Sequence, residues 1–79
     1  MNIYCVTKLR EGDEDDIVVG ASFKLSTAKQ LLYNAIKECW NKSFDNEDMD
    51  EEVNQDDFTI DEDMNYLEYI WRIEVLDIS

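Results

Sequence analysis

Between positions 28 and 40 the apolar residues are Ala28, Leu31, Leu32, Ala35, Ile36, Cys39 and Trp40, at offsets of 0, 3, 4, 7, 8, 11 and 12. That spacing gathers them on one stripe of an α-helix. A strand would scatter them over both faces, because its side chains alternate with a period of two. An amphipathic helix of about four turns follows. Lys29, Gln30, Asn34, Lys37, Glu38 and Asn41 form its wet face, and Tyr33 lies on the same side. Ser26 or Thr27 can cap the free N–H groups of the first turn, Thr27 and Gln30 have capping-box spacing, and Lys37 and Lys42 suit the negative end of the helix dipole. A stripe of this kind needs a second layer to cover it.

The second layer reads as strands. Residues 3–9 alternate, with Ile3, Cys5, Thr7 and Leu9 on one face and Tyr4, Val6 and Lys8 on the other. Residues 16–23 follow the same period and place Ile17, Val19, Ala21 and Phe23 together. Glu11-Gly12-Asp13-Glu14 links the two runs as the polar tip of an antiparallel hairpin. Residues 43–57 carry eight acids and only Phe44, Met49 and Val53 as larger apolar groups, which predicts extended or weakly helical chain. Residues 58–60 read as a short strand and 61–65 as a turn. Residues 66–78 read as one long central strand with Tyr69, Trp71, Ile73 and Val75 on one face and Ile70, Leu76 and Ile78 on the other, covered on part of both sides. Trp40, Phe58 and Trp71 are assigned to the core. The expected fold is α+β, a four-stranded antiparallel sheet with one long amphipathic helix on one face, in the order β-β-α-β-β. Residues 1–79 make a single small domain, and the sequence leaves open whether the acidic stretch at 45–57 is ordered.

Charge divides the chain. Residues 1–42 hold six acids and six bases, whereas residues 43–79 hold fourteen acids and Arg72 alone, so the net charge of −13 belongs to the second half. Such a surface disfavours direct contact with nucleic acid or an anionic membrane. Histidine is absent, which removes the commonest general base and metal ligand. Cys5 and Cys39 lack CxxC spacing and read as small buried hydrophobes in a reducing compartment. The opening MNIYCVTKLR has no basic start followed by an apolar run, and no segment has the length of a membrane span, so a cytoplasmic location is expected.

The acids do not match the common metal and catalytic patterns. An EF-hand loop begun at Asp61 places Asp63 and Asn65 correctly but puts Tyr66 where glycine makes the turn and Arg72 where a bidentate glutamate is needed. A domain this small offers little cleft to raise a carboxyl pKa for glycoside hydrolysis. The expectation is a chain that is not an enzyme and uses no metal or cofactor. As a surface the acids are more suggestive. Twelve lie between positions 45 and 68 with no base among them. Their mean spacing would be about 3 Å in a helix or about 6.6 Å in extended chain, against about 3.4 Å between successive phosphates of a DNA strand. Carboxylates could therefore stand in for phosphates on a basic protein. The partner-binding candidates are Asp45, Glu47, Asp48, Asp50, Glu51, Glu52, Asp56, Asp57, Asp61, Glu62 and Asp63, with Tyr33 and Tyr66 as aromatic contacts.

The runs IYCVTKL and IVVGASF, the helix start LSTAKQLL and the last strand YIWRIEVLDI resemble a recurrent type of short phage protein, over about 60 residues. Lys29, where an acid is common, and the long acidic stretch from Asp45 to Asp57 depart from that pattern. Size and acidity resemble the small host-takeover proteins of lytic Bacillus phages, which include a DNA-mimicking inhibitor of the histone-like protein and an inhibitor of cell division. The resemblance implies action in the host cytoplasm on a host protein, basic and DNA-binding, by mimicry of DNA phosphates. The alternative it implies is a shape-based inhibitor of a host assembly such as the cell-division machinery. A homodimer is compatible with either.

Overall fold

The computed structural model describes residues 1–43 and 49–78. Two nine-residue strands, β1 (Asn2–Arg10) and β4 (Tyr69–Asp77), pair antiparallel along their whole length, from Asn2 with Asp77 to Arg10 with Tyr69. They form the centre of the sheet. β2 (Ile17–Ser22) flanks β1 and β3 (Met64–Tyr66) flanks β4, giving the antiparallel order β2-β1-β4-β3. One helix, α1 (Leu25–Ser43), connects β2 to the second half and covers one face of the sheet. The expected α+β architecture and element order are observed.

The core lies between α1 and that face. Ala28, Leu32, Ile36 and Trp40 from the helix meet Val6, Trp71 and Ile73 from the central strands, all buried. The helical stripe thus packs as its spacing requires, and Trp40, Phe58 and Trp71 are core residues. The helix starts earlier than the capping pattern suggests. The Ala28 N–H donates to the Lys24 carbonyl and the Lys24 N–H donates to Ser22 Oγ, so Ser26 and Thr27 lie inside the first turn instead of capping it.

Three expectations are corrected. First, the alternating face of the second strand is broken by a bulge, where the register shifts opposite Val6 and Thr7. Gly20 then faces the helix, a Cβ there would come within 3.1 Å of Leu31 Cδ1, and Phe23 ends up 60% exposed. Second, residues 66–78 are not one strand. Leu67 and Glu68 both have positive φ, 56° and 69°, and make a tight hairpin turn between β3 and β4. Residues 58–60 form no strand, contributing one parallel bridge between Ile60 and Ile73. Third, the face of β4 away from α1 is covered at Ile70, Arg72 and Glu74, which are half-buried, but not at its C-terminal end. Leu76 is half-exposed, and Cys5 and Cys39 are half-buried free thiols, not fully buried ones.

The turn offers a test. Two left-handed residues in succession favour Asn-Gly, and each ordinary side chain in that region costs about 1 kcal/mol or more. Glu68 is exposed, so Glu68→Gly should raise stability by about 0.5–1 kcal/mol even after the added freedom of the unfolded chain. Urea denaturation monitored by tryptophan fluorescence would show it.

Candidate acidic interface

The acidic stretch is fixed to the body of the protein by its few apolar residues. Met49, Val53 and Phe58 are all buried in the main core. Between them the backbone makes two 3₁₀ turns, Met49–Glu51 and Gln55–Asp57. The Val53 N–H donates to the Met49 carbonyl at 2.8 Å, and Asn54 Oδ1 accepts from the Asp56 N–H at 3.0 Å to cap the second turn. The Asp61 N–H, with Asp61 at φ 59°, donates to the Ile73 carbonyl and ties the end of the stretch to β4. With the apolar anchors turned inward, Glu51, Glu52, Asp56, Asp57, Asp61 and Glu62 are left exposed. The described part is therefore neither an extended strand nor a helix of α type.

Cations are sparse around these carboxylates. Arg72 is held by Asp63, with Nη2 2.6 Å and Nε 2.9 Å from Asp63 Oδ1, and its Nη1 lies 3.8 Å from Glu74. The hydrogen bond to Asp63, reinforced by that carboxylate's charge, pushes the Arg72 pKa further up. Asp63 is thus already neutralised, contrary to its place in an unpaired acidic array. Lys29 and Asp56 line one shallow depression of about 430 Å³ without forming an ion pair. Three other bases gather elsewhere. Lys8, Arg10 and Lys42 line a depression of about 320 Å³ with Tyr69, and Lys8 Nζ sits 5.0 Å from the Tyr69 ring and 5.8 Å from the Trp71 ring.

Of the candidates named from the sequence, Glu51, Glu52, Asp56, Asp57, Asp61 and Glu62 share the anchored surface stretch. Asp45, Glu47, Asp48 and the side chain of Asp50 lie outside the described residues. Tyr33 and Tyr66 are less exposed than their places in the sequence suggest. Both are half-buried against the core, and the Tyr66 carbonyl accepts a hydrogen bond from Trp71 Nε1 at 3.0 Å. Sequence reasoning placed Tyr33 on the wet face of the helix, but its ring packs along the core's margin with Lys37 Nζ 6.0 Å away.

The sheet face opposite α1, read from the sequence as the second face of the last strand, was not among the candidate contact surfaces. Leu9, Ile70 and Arg72 line a cleft of about 220 Å³ there with Asp16, Asp63 and Glu74, and Val18, which pairs with Thr7, is 65% exposed. The signal was present in Ile70 and Leu76, whose alternation with the core residues of β4 marks a second apolar face. Among the described residues no group of three or more cysteine or acidic side chains is placed to hold a metal ion. No helix is long and apolar enough to cross a membrane. Comparison with protein-family models, curated proteins and solved structures found no match to this chain.

Proposed function

We propose that this protein binds a basic, DNA-binding protein by offering carboxylates where that partner expects phosphates. The observation that carries the reading is the anchoring of the acidic stretch. Met49, Val53 and Phe58 are buried, so Glu51, Glu52, Asp56 and Asp57 between them, and Asp61 and Glu62 after Phe58, are held on an anchored backbone. A tail that served only solubility would need no such anchors. Pre-ordering lowers the entropy lost on binding, which is what lets a row of weak contacts add up to useful affinity. The resemblance to phage host-takeover proteins supports the same reading and makes a histone-like nucleoid protein the first partner to try.

Binding by this route engages several carboxylates together and should weaken steeply as salt screens them. Titration calorimetry against a basic nucleoid protein is expected to show affinity falling by about tenfold or more between low and physiological salt. DNA and this chain should compete for one site. Affinity insensitive to salt, or a ternary complex with DNA at that site, would refute phosphate mimicry.

The uncovered face of the sheet favours a second reading, inhibition of a host assembly by shape. Under that reading the contact surface is the face bearing Val18, Ile70 and Leu76, since Tyr33 and Tyr66 are committed to the core's margin.

A further inference from the structure

The edge strand β2 is unguarded. Its sequence IVVGAS holds no charge and no proline, the devices that usually keep an edge from pairing with another chain. Three of the large apolar side chains most exposed to solvent, Ile17, Val18 and Phe23, lie on it or next to it. β2 pairs only with β1, which leaves the hydrogen-bonding groups along its other side facing outward.

We propose that β2 is a self-association edge, on which two copies of the chain join antiparallel about a twofold axis between Val19 and Gly20. This goes beyond the acidic surface and does not rest on it. The bulge selects the register. Ser22 pairs with the core residue Tyr4, Gly20 faces Leu31, and Ile17 pairs with Lys8, whose ammonium lies over Trp71, so these three face the helix. Val19 packs on the core with them. Val18, opposite Thr7, and Ala21, opposite Cys5, point to the uncovered face. Residues opposite each other in an antiparallel pair must share a face. Among registers centred on the strand, that condition is met throughout by one: Ile17 opposite Ser22 of the second copy, Val18 opposite Ala21, and Val19 opposite Gly20. A shift of one residue puts Val18 across from Ser22 and mismatches the faces.

Charge agrees with this register. Extended two steps beyond the ladder at each end, past Asp16 opposite Phe23, it brings Asp15 of one copy to Lys24 of the other, twice by symmetry. The two acidic hairpin tips, Asp13 to Asp16, then lie at opposite ends of the interface, each beside a lysine. The acidic stretch does not obstruct it. Ile73 pairs with Val6 of β1 on one side and with Ile60 on the other, so the stretch leading to Ile60 runs on the side of the sheet away from β2. Two copies joined at β2 carry their acidic surfaces at the two outer ends, where mutual repulsion is least.

Sedimentation equilibrium of the full chain at moderate salt should show a monomer–dimer equilibrium. Val18→Lys places a charge on the uncovered face of the ladder and should weaken the dimer by about tenfold or more, with circular dichroism unchanged because Val18 is exposed. Lys24→Asp should also weaken it, and adding Asp15→Lys in the same chain should restore it. A wild-type chain that stays monomeric at the highest soluble concentration overturns the proposal. So does a dimer indifferent to both Val18→Lys and Lys24→Asp, or one that the double exchange fails to rescue.

Discussion

Replacing Glu51 and Glu52 by glutamine and Asp56 and Asp57 by asparagine is expected to reduce binding to a basic DNA-binding partner by roughly a hundredfold or more while leaving the fold intact. All four residues are exposed, and none of their carboxylates makes an ion pair or hydrogen bond among the described residues. Their replacement removes four charges from a chain at −13 and should raise stability slightly by relieving repulsion. The anchors Met49, Val53 and Phe58 are untouched. Affinity measured by calorimetry beside an unchanged circular dichroism spectrum separates the two binding readings. Full activity in this variant would mean that the acids serve solubility and that the sheet face makes the contact.

Trp71→Ala should leave the chain largely unfolded at room temperature. The Trp71 side chain is fully buried beneath α1, its indole N–H donates to the Tyr66 carbonyl, and its ring packs 5.5 Å from that of Tyr69. Truncating a buried tryptophan costs about 3–5 kcal/mol, and a core of this size supplies about 3–5 kcal/mol in all. Trp71→Phe keeps most of the packing but leaves the Tyr66 carbonyl without its donor, just before the strained Leu67–Glu68 turn. A smaller loss of about 1–3 kcal/mol is expected. Urea denaturation followed by circular dichroism would give both values. A stable Trp71→Ala protein would show that the core does not depend on the β4 side of the helix–sheet contact.

The sequence by itself determined the helix, the hairpin and the core tryptophans. Their evidence is local: a 3.6-residue repeat from Ala28 to Trp40 and a two-residue repeat in residues 3–9 state which side chains share a face, and burial follows from that. The same logic failed where one residue changed the count. The positive-φ turn at Leu67–Glu68 carries no glycine or asparagine to announce it, and the bulge in β2 is marked only by the neighbouring Gly20. Gly20 also meets α1 in a way visible only in three dimensions, since an added Cβ would lie 3.1 Å from Leu31 Cδ1 and Leu31 would have to shift. The acids were legible as a charge excess but not as an arrangement. Three apolar residues among many carboxylates look like a solvated linker until the core offers them a place to bury. Only the tertiary structure decided that Met49, Val53 and Phe58 are anchors and that Asp63 is already taken by Arg72, because the first depends on the shared core and the packing of the stretch against α1 and the second on Arg72 of strand β4, neither of which is a sequence neighbour.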